Sequence, residues 1–176
     1  MTPARRCLLP LACVAAIAAA GLASAQGVRV KLPAWQEPVL LDSMRQEHQV
    51  AGSPEAVYSA TQHAFADLGI LVGNTDNKAG IIGSERLERL HSFAGAPMSR
   101  SFRCGESATG PNADAFRLTI VVAAWVKPGK DGGTTLALAT AASGADISGV
   151  YRNPRECAST GWLEEKILAG VQKYVK

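Results

Sequence analysis

The sequence predicts an α+β fold, an antiparallel sheet of about five to six strands with two helices packed on one face. Three observations predict it. Between residues 115 and 127 the even positions Phe116, Leu118, Ile120, Val122, Ala124 and Val126 are all apolar. The odd positions include Arg117 and Thr119, so the period is that of a strand with one face in the core. Ser53-Pro54-Glu55 supplies an N-cap, a first helical position and a first-turn acid, and Val57, Ala60, Thr61, Ala64, Phe65 and Leu68 follow at spacings of three and four. Leu163, Ile167, Gly170, Val171 and Tyr174 repeat that spacing near the C-terminus.

Taken in order, residues 1–25 read as a cleavable secretory signal. Arg5 and Arg6 make its positive start, Cys7 to Leu22 its apolar stretch, and Ala23-Ser24-Ala25 its small-x-small cleavage site. The apolar run is shorter than the roughly 20 residues that span a bilayer, so no stable membrane anchor is expected after cleavage. Pro10 stands where a lipid-attachment site at Cys13 requires leucine, which argues against lipidation. Residues 26–50 read as an extended N-terminal lead-in, loosely attached over 26–38 with Pro33 and Pro38, followed by two short strands over Val39–Asp42 and Arg45–Ala51. Residues 51–176 form one α+β domain.

Within that domain a helix is expected over Pro54–Leu68, stopped by Gly69. Ile70-Leu71-Val72 reads as a buried strand, 76–80 as a turn and Ile81–Leu87 as the returning strand. Residues 91–112, rich in Ser, Gly and Ala, read as a long loop with a short strand near Ser101–Cys104. Two long strands follow, Ala115–Lys127 and Thr134–Ala142, then a second loop over Ser143–Glu156. The terminal helix is expected to be capped by Ser159 or Thr160, with Glu164 and Glu165 in solvent near its positive end.

Composition narrows the function classes. Lys and Arg number 18 against 15 Asp and Glu, a net charge of +3, and Arg5 and Arg6 carry two of those charges away with the leader. The remaining near-neutral chain has no electrostatic footprint for nucleic acid. Cys7 and Cys13 leave too, and the surviving pair, Cys104 and Cys157, is expected to form a disulfide in an oxidising compartment. Closing that loop contributes on the order of 4 kcal/mol in the chain-entropy model. Periplasmic or secreted localisation follows from leader and disulfide together.

No catalytic constellation emerges. His48, His63 and His91 lack metal-ligand spacing, and a zinc site needs three or four convergent ligands. Gly105 to Gly110 has Walker-like glycine spacing, but Pro111-Asn112 replaces the Lys-Ser or Lys-Thr that binds phosphate. No Gly-x-Ser-x-Gly elbow occurs. No catalytic residue, cofactor or metal ligand is nominated. The candidate surface is instead an Arg and aromatic patch that the disulfide would gather, made of Arg100, Phe102, Arg103, Tyr151, Arg152 and Arg155, residue types enriched at interfaces.

Cys104-Gly105, Ala113-Asp114, Gly132-Gly133-Thr134 and the run from Cys157 to Glu164 resemble a group of uncharacterised exported bacterial proteins. More narrowly, Ser53 to Ile82, with its Leu68-Gly69-Ile70 helix end, Asp76 and Gly80, is similar to the helix-grip domains of BamC-type lipoproteins of the outer-membrane assembly machinery. That resemblance implies a helix-grip-like fold and no activity. The function expected is a non-catalytic envelope interaction domain whose partner is another envelope protein. The alternatives are a carrier holding a small apolar ligand between sheet and helices, and an enzyme.

Overall fold

The structure, a computed structural model, describes residues 27–175; the leader read from residues 1–25 lies outside them. In chain order the main elements are β1 (Gln46–Val50), α1 (Pro54–Asp67), β2 (Val72–Asp76), β3 (Ile81–Ser84) and β4 (Leu87–Leu90). Then come α2 (Met98–Ser101), β5 (Phe102–Arg103), α3 (Asn112–Ala115), β6 (Phe116–Pro128), β7 (Thr134–Asp146), β8 (Arg155–Ser159) and α4 (Trp162–Tyr174). The fold is the expected α+β, and its single large sheet has eight strands, all pairs antiparallel.

The 13-residue strands β6 and β7 pair along their whole length, from Phe116 opposite Asp146 to Pro128 opposite Thr134. β3 and β4 pair with successive stretches of β6, and β1 and β8 with successive stretches of β7. The outermost strands are β2 beyond β3 and β5 beyond β8.

Every even position of β6 from Phe116 to Val126 lies in one core cluster with Leu136, Leu138 and Ala142 of β7. α1 fills that cluster with Val57, Ala60, Ala64 and Phe65, and α4 with Leu163, Ile167 and Val171. The two helices also touch each other closely: a Cβ on Gly170 would sit 2.9 Å from Cβ of Ala64. α1 is capped as expected, the Ser53 hydroxyl accepting from the Ala56 amide at 3.3 Å.

Several expectations need correction. The lead-in is not loosely attached. Leu32, Val39 and Leu41 are buried against Val121, Ala123, Trp125, Ala137, Ala139 and Ala141, the odd positions of the spine. The Ala34 amide donates to Ser143 Oγ at 3.1 Å, and the Arg86 guanidinium to the Lys31 carbonyl at 2.8 Å. Both faces of the sheet are therefore covered. A mostly alanine face is shallow enough for a chain segment without helix to lie across it.

Of Ile70-Leu71-Val72 only Ile70 is buried; Leu71 is 62% exposed and β2 is exposed throughout, because it is an outermost strand with one neighbour. Its register shifts between Val72 and Asn74, a bulge of the kind that blunts sheet edges against stray pairing. Residues 91–112 are not a loop but two similar units. A two-residue hairpin, Ser92–Phe93 with Ala96–Pro97, leads into α2 and Phe102. A second, Glu106–Ser107 with Gly110–Pro111, leads into α3 and Phe116. The loop expected at 143–156 shrinks at both ends, because β7 runs on to Asp146 and β8 begins at Arg155.

Candidate functional site

Cys104 and Cys157 are joined by a disulfide, with Cα atoms 4.3 Å apart. It is buried against Gly144, where a Cβ would lie 3.0 Å from Phe116 and 3.2 Å from the Cys157 sulfur. A bond so enclosed is a staple between β8 and the segment after β5. Beside it the two segments run antiparallel: Ser159 is opposite Phe102, Ala158 opposite Arg103, and Thr160 bonds both Ser101 and Arg100 backbone.

This zipper splits the predicted patch. Phe102 is no surface residue; it is 0% exposed in the main core, because it faces the same way as the disulfide. Arg103, one residue on, projects to the opposite face with Ala158, as alternation along a strand requires. Arg100 is exposed and lies 5.9 Å from the Trp162 ring, which Lys166 also approaches at 5.6 Å. Arg155 and Tyr151 do come together, the guanidinium 4.1 Å from the ring centroid. Tyr151 in turn meets Phe116 edge-on at 5.9 Å, and Arg152 is exposed beside it. The coherent remainder is Tyr151, Arg152 and Arg155.

Two apolar neighbours, invisible to a search for arginines and aromatics, enlarge that remainder. Ile147 is 52% and Val150 75% exposed, on the loop that joins β7 to β8. The loop is shaped by Asp146, whose carboxylate accepts from the Tyr151 amide (2.8 Å) and from Ser148 through its amide (2.8 Å) and hydroxyl (2.7 Å). Those bonds, the Tyr151 amide foremost, hold the Asp146 pKa below its ordinary value. Beneath the loop is a groove of about 400 Å³ lined by Phe116, Val150 and Tyr151, with Ser107, Thr109 and Asn112 among its polar members. Among the described residues no carboxylate lies within 4.0 Å of Arg152 or Arg155.

Elsewhere the chemistry is structural. Ser99, Asp114 and His91 meet, but in an order that activates nothing. The Asp114 carboxylate accepts from Ser99 Oγ at 2.8 Å, while His91 Nδ1 bonds the Asp114 backbone oxygen at 2.8 Å and not the serine. Glu164, expected in solvent, is only 2% exposed. Thr140 Oγ1 donates to it at 2.6 Å and Ser159 Oγ lies 2.8 and 3.0 Å from its two oxygens, so it ties β7, β8 and α4 together. Ser159 is thereby diverted from capping, and the N-cap of α4 is Gly161 in the left-handed region at φ 88°. A larger groove, about 590 Å³, lies at the other end of β6 between Tyr58, Lys78 and Lys127. Among the described residues no group of three His, Cys, Asp or Glu is placed to hold a metal ion, and no helix is long and apolar enough to cross a membrane.

No protein-family model matches the chain, and no curated protein matches it in sequence.

Proposed function

We propose that the chain is an exported envelope protein that acts by binding another protein, through the surface formed by the 147–154 loop and the start of β8. One observation carries this reading: Ile147 and Val150 stand in solvent beside the stacked Tyr151–Arg155 pair, and neither Arg152 nor Arg155 has a carboxylate partner among the described residues. Exposed aliphatic side chains next to an aromatic and arginines match the centre of a protein interface. Export is supported by the Cys104–Cys157 disulfide, which persists in oxidising compartments. The filled helix–sheet interface, with Phe65, Leu118, Ile120, Leu138 and Ile167 all fully buried, favours this reading over a ligand carrier.

A photo-crosslinking benzophenone side chain placed at position 152 in the native envelope tests the proposal. A discrete protein adduct is expected, absent when the same group is placed at position 78 at the far end of β6. The adduct, captured from position 150, should also be lost in the Arg152→Glu/Arg155→Glu variant. Equal adducts from positions 152 and 78, or none from either, would sink the reading.

A further inference from the structure

We infer that the Cys104–Cys157 disulfide is a redox condition on the binding surface: Tyr151 and Arg155 are held ready for a partner only in the oxidised chain. This rests on the protein-binding reading above and adds the regulation of the same site. A closed circuit of contacts joins the bond to the surface. Both sulfurs pack on Gly144, where a Cβ would meet Cys157 Sγ at 3.2 Å and Cys104 Sγ at 3.5 Å, and the Phe116 ring packs on the same glycine at 3.0 Å. Phe116 meets Tyr151 edge-on at 5.9 Å, and Tyr151 carries the Arg155 guanidinium 4.1 Å from its ring centroid. Arg155 closes the circuit twice. Its backbone is opposite Gly144 in the β7–β8 pairing, and its Nη1 lies 3.7 Å from where a Cβ on Gly105, the neighbour of Cys104, would be.

Few other ties hold this end of the sheet. β5 and β8 share two residue pairs, Arg103 with Ala158 and Phe102 with Ser159, and both lie beyond Cys157 on the side away from the loop. The residues next to the loop, Arg155 and Glu156, pair with Gly144 and Ser143 of β7, and the bond itself joins them to the 104–105 segment. Without it Gly105 is free to leave Arg155. An arginine kept in one place by its neighbours loses less side-chain freedom when a partner arrives, and that advantage goes with the neighbour. In forming the bond the two thiols give up two electrons and two protons to an external disulfide, on a small molecule or an oxidoreductase, which leaves as two thiols. Cys104 is 3% and Cys157 1% exposed, so the bond once made is shielded from exchange, and the surface is set by oxidation rather than toggled.

The test compares the oxidised protein with Cys104→Ser/Cys157→Ser by three measurements: the protein adduct from benzophenone at position 152, the ring-current shift that Tyr151 imposes on the Arg155 side chain in NMR, and the methyl shifts of Leu138 in the core. The variant is expected to keep the Leu138 shifts, lose the Arg155 shift and give about tenfold less adduct, a coupling of ordinary size between two sites. An Arg155 shift and adduct yield equal to those of the oxidised protein would overturn the inference. So would loss of the Leu138 shifts, since the bond would then act through the whole fold and not on the surface. Tyr151→Leu in the oxidised protein, which removes the ring and leaves the bond, should lower the adduct as well; an unchanged yield would mean that the stacked pair is not what the partner meets. If the oxidised protein gives its adduct and the variant gives as much, only this inference falls; if the oxidised protein gives none, the protein-binding reading falls with it.

Discussion

The two faces of the β6–β7 spine are buried by different means. On one, large side chains such as Phe116, Leu118, Ile120, Leu136 and Leu138 interlock with two amphipathic helices. On the other, Ala123, Ala137, Ala139 and Ala141 make a flat surface, and the 28–44 segment supplies the bulk with Leu32, Val39 and Leu41. That segment has only a two-residue hairpin, Arg29–Val30 with Val39–Leu40, and one short 3-10 turn of its own. A helix needs grooves between large residues to seat its ridges, whereas a nearly bare backbone can settle on alanines. The helical face buries the larger side chains, and the strapped face excludes water from what would otherwise be an exposed apolar sheet.

That contrast can be tested on each side. The largest expected effect belongs to the staple on the helical side: Cys104→Ser/Cys157→Ser should lose about 4 kcal/mol in urea unfolding, and the native protein should show no reactive thiol at either position. Unfolding midpoints unchanged by the double variant would remove the bond from the stability argument. Next, Leu138→Ala should cost about 3 kcal/mol and Leu32→Ala about 2 kcal/mol, both within the range for buried leucines. The difference arises because an irregular strap can settle into the space its leucine leaves. Equal losses would equate the two faces, and no loss at Leu32 would detach the strap.

Smaller still, Glu164→Gln should cost about 1 to 2 kcal/mol, since the bonds from Thr140 and Ser159 lose their charged acceptor. The smallest effect concerns the 147–151 loop. Asp146 has a lowered pKa in the folded state, so its contribution is complete above the ordinary carboxylate pKa and disappears as pH falls through the lowered value. The protection of the Ser148 and Tyr151 amides, measured as exchange relative to the intrinsic rate at each pH, should fall only in that acid range. Loss of that protection already near neutrality would mean another group orders the loop.

How much of this was legible in the sequence depends on the size of the signal each segment carries. The even face of β6 and the capped α1 read clearly because large apolar side chains repeat with one period. The second buried face did not, because alanine is equally at home in water and in a core, so Ala137, Ala139 and Ala141 carry no pattern. The 91–112 region holds two-residue strands and one-turn helices, too short to show any period. Glu164 misled because an acid in a first helical turn normally faces solvent, and only the neighbouring strands reveal its hydroxyl partners. At the candidate site the cysteine pair was legible by counting. The split of Phe102 from Arg103 was not, since it depends on recognising 155–159 as a strand and pairing it with 102–103.

The staple also says something about the order in which the chain assembles. Its cysteines are 53 residues apart in sequence, yet the β6–β7 hairpin lies wholly between them and ends at Phe116 and Asp146. Once that hairpin zips, only the short arms to Cys104 and from Asp146 to Cys157 remain open. Halving an open length saves about 0.6 kcal/mol of closure entropy. Pairing of the two longest strands therefore lowers the entropy that has to be lost to bring the two sulfurs together.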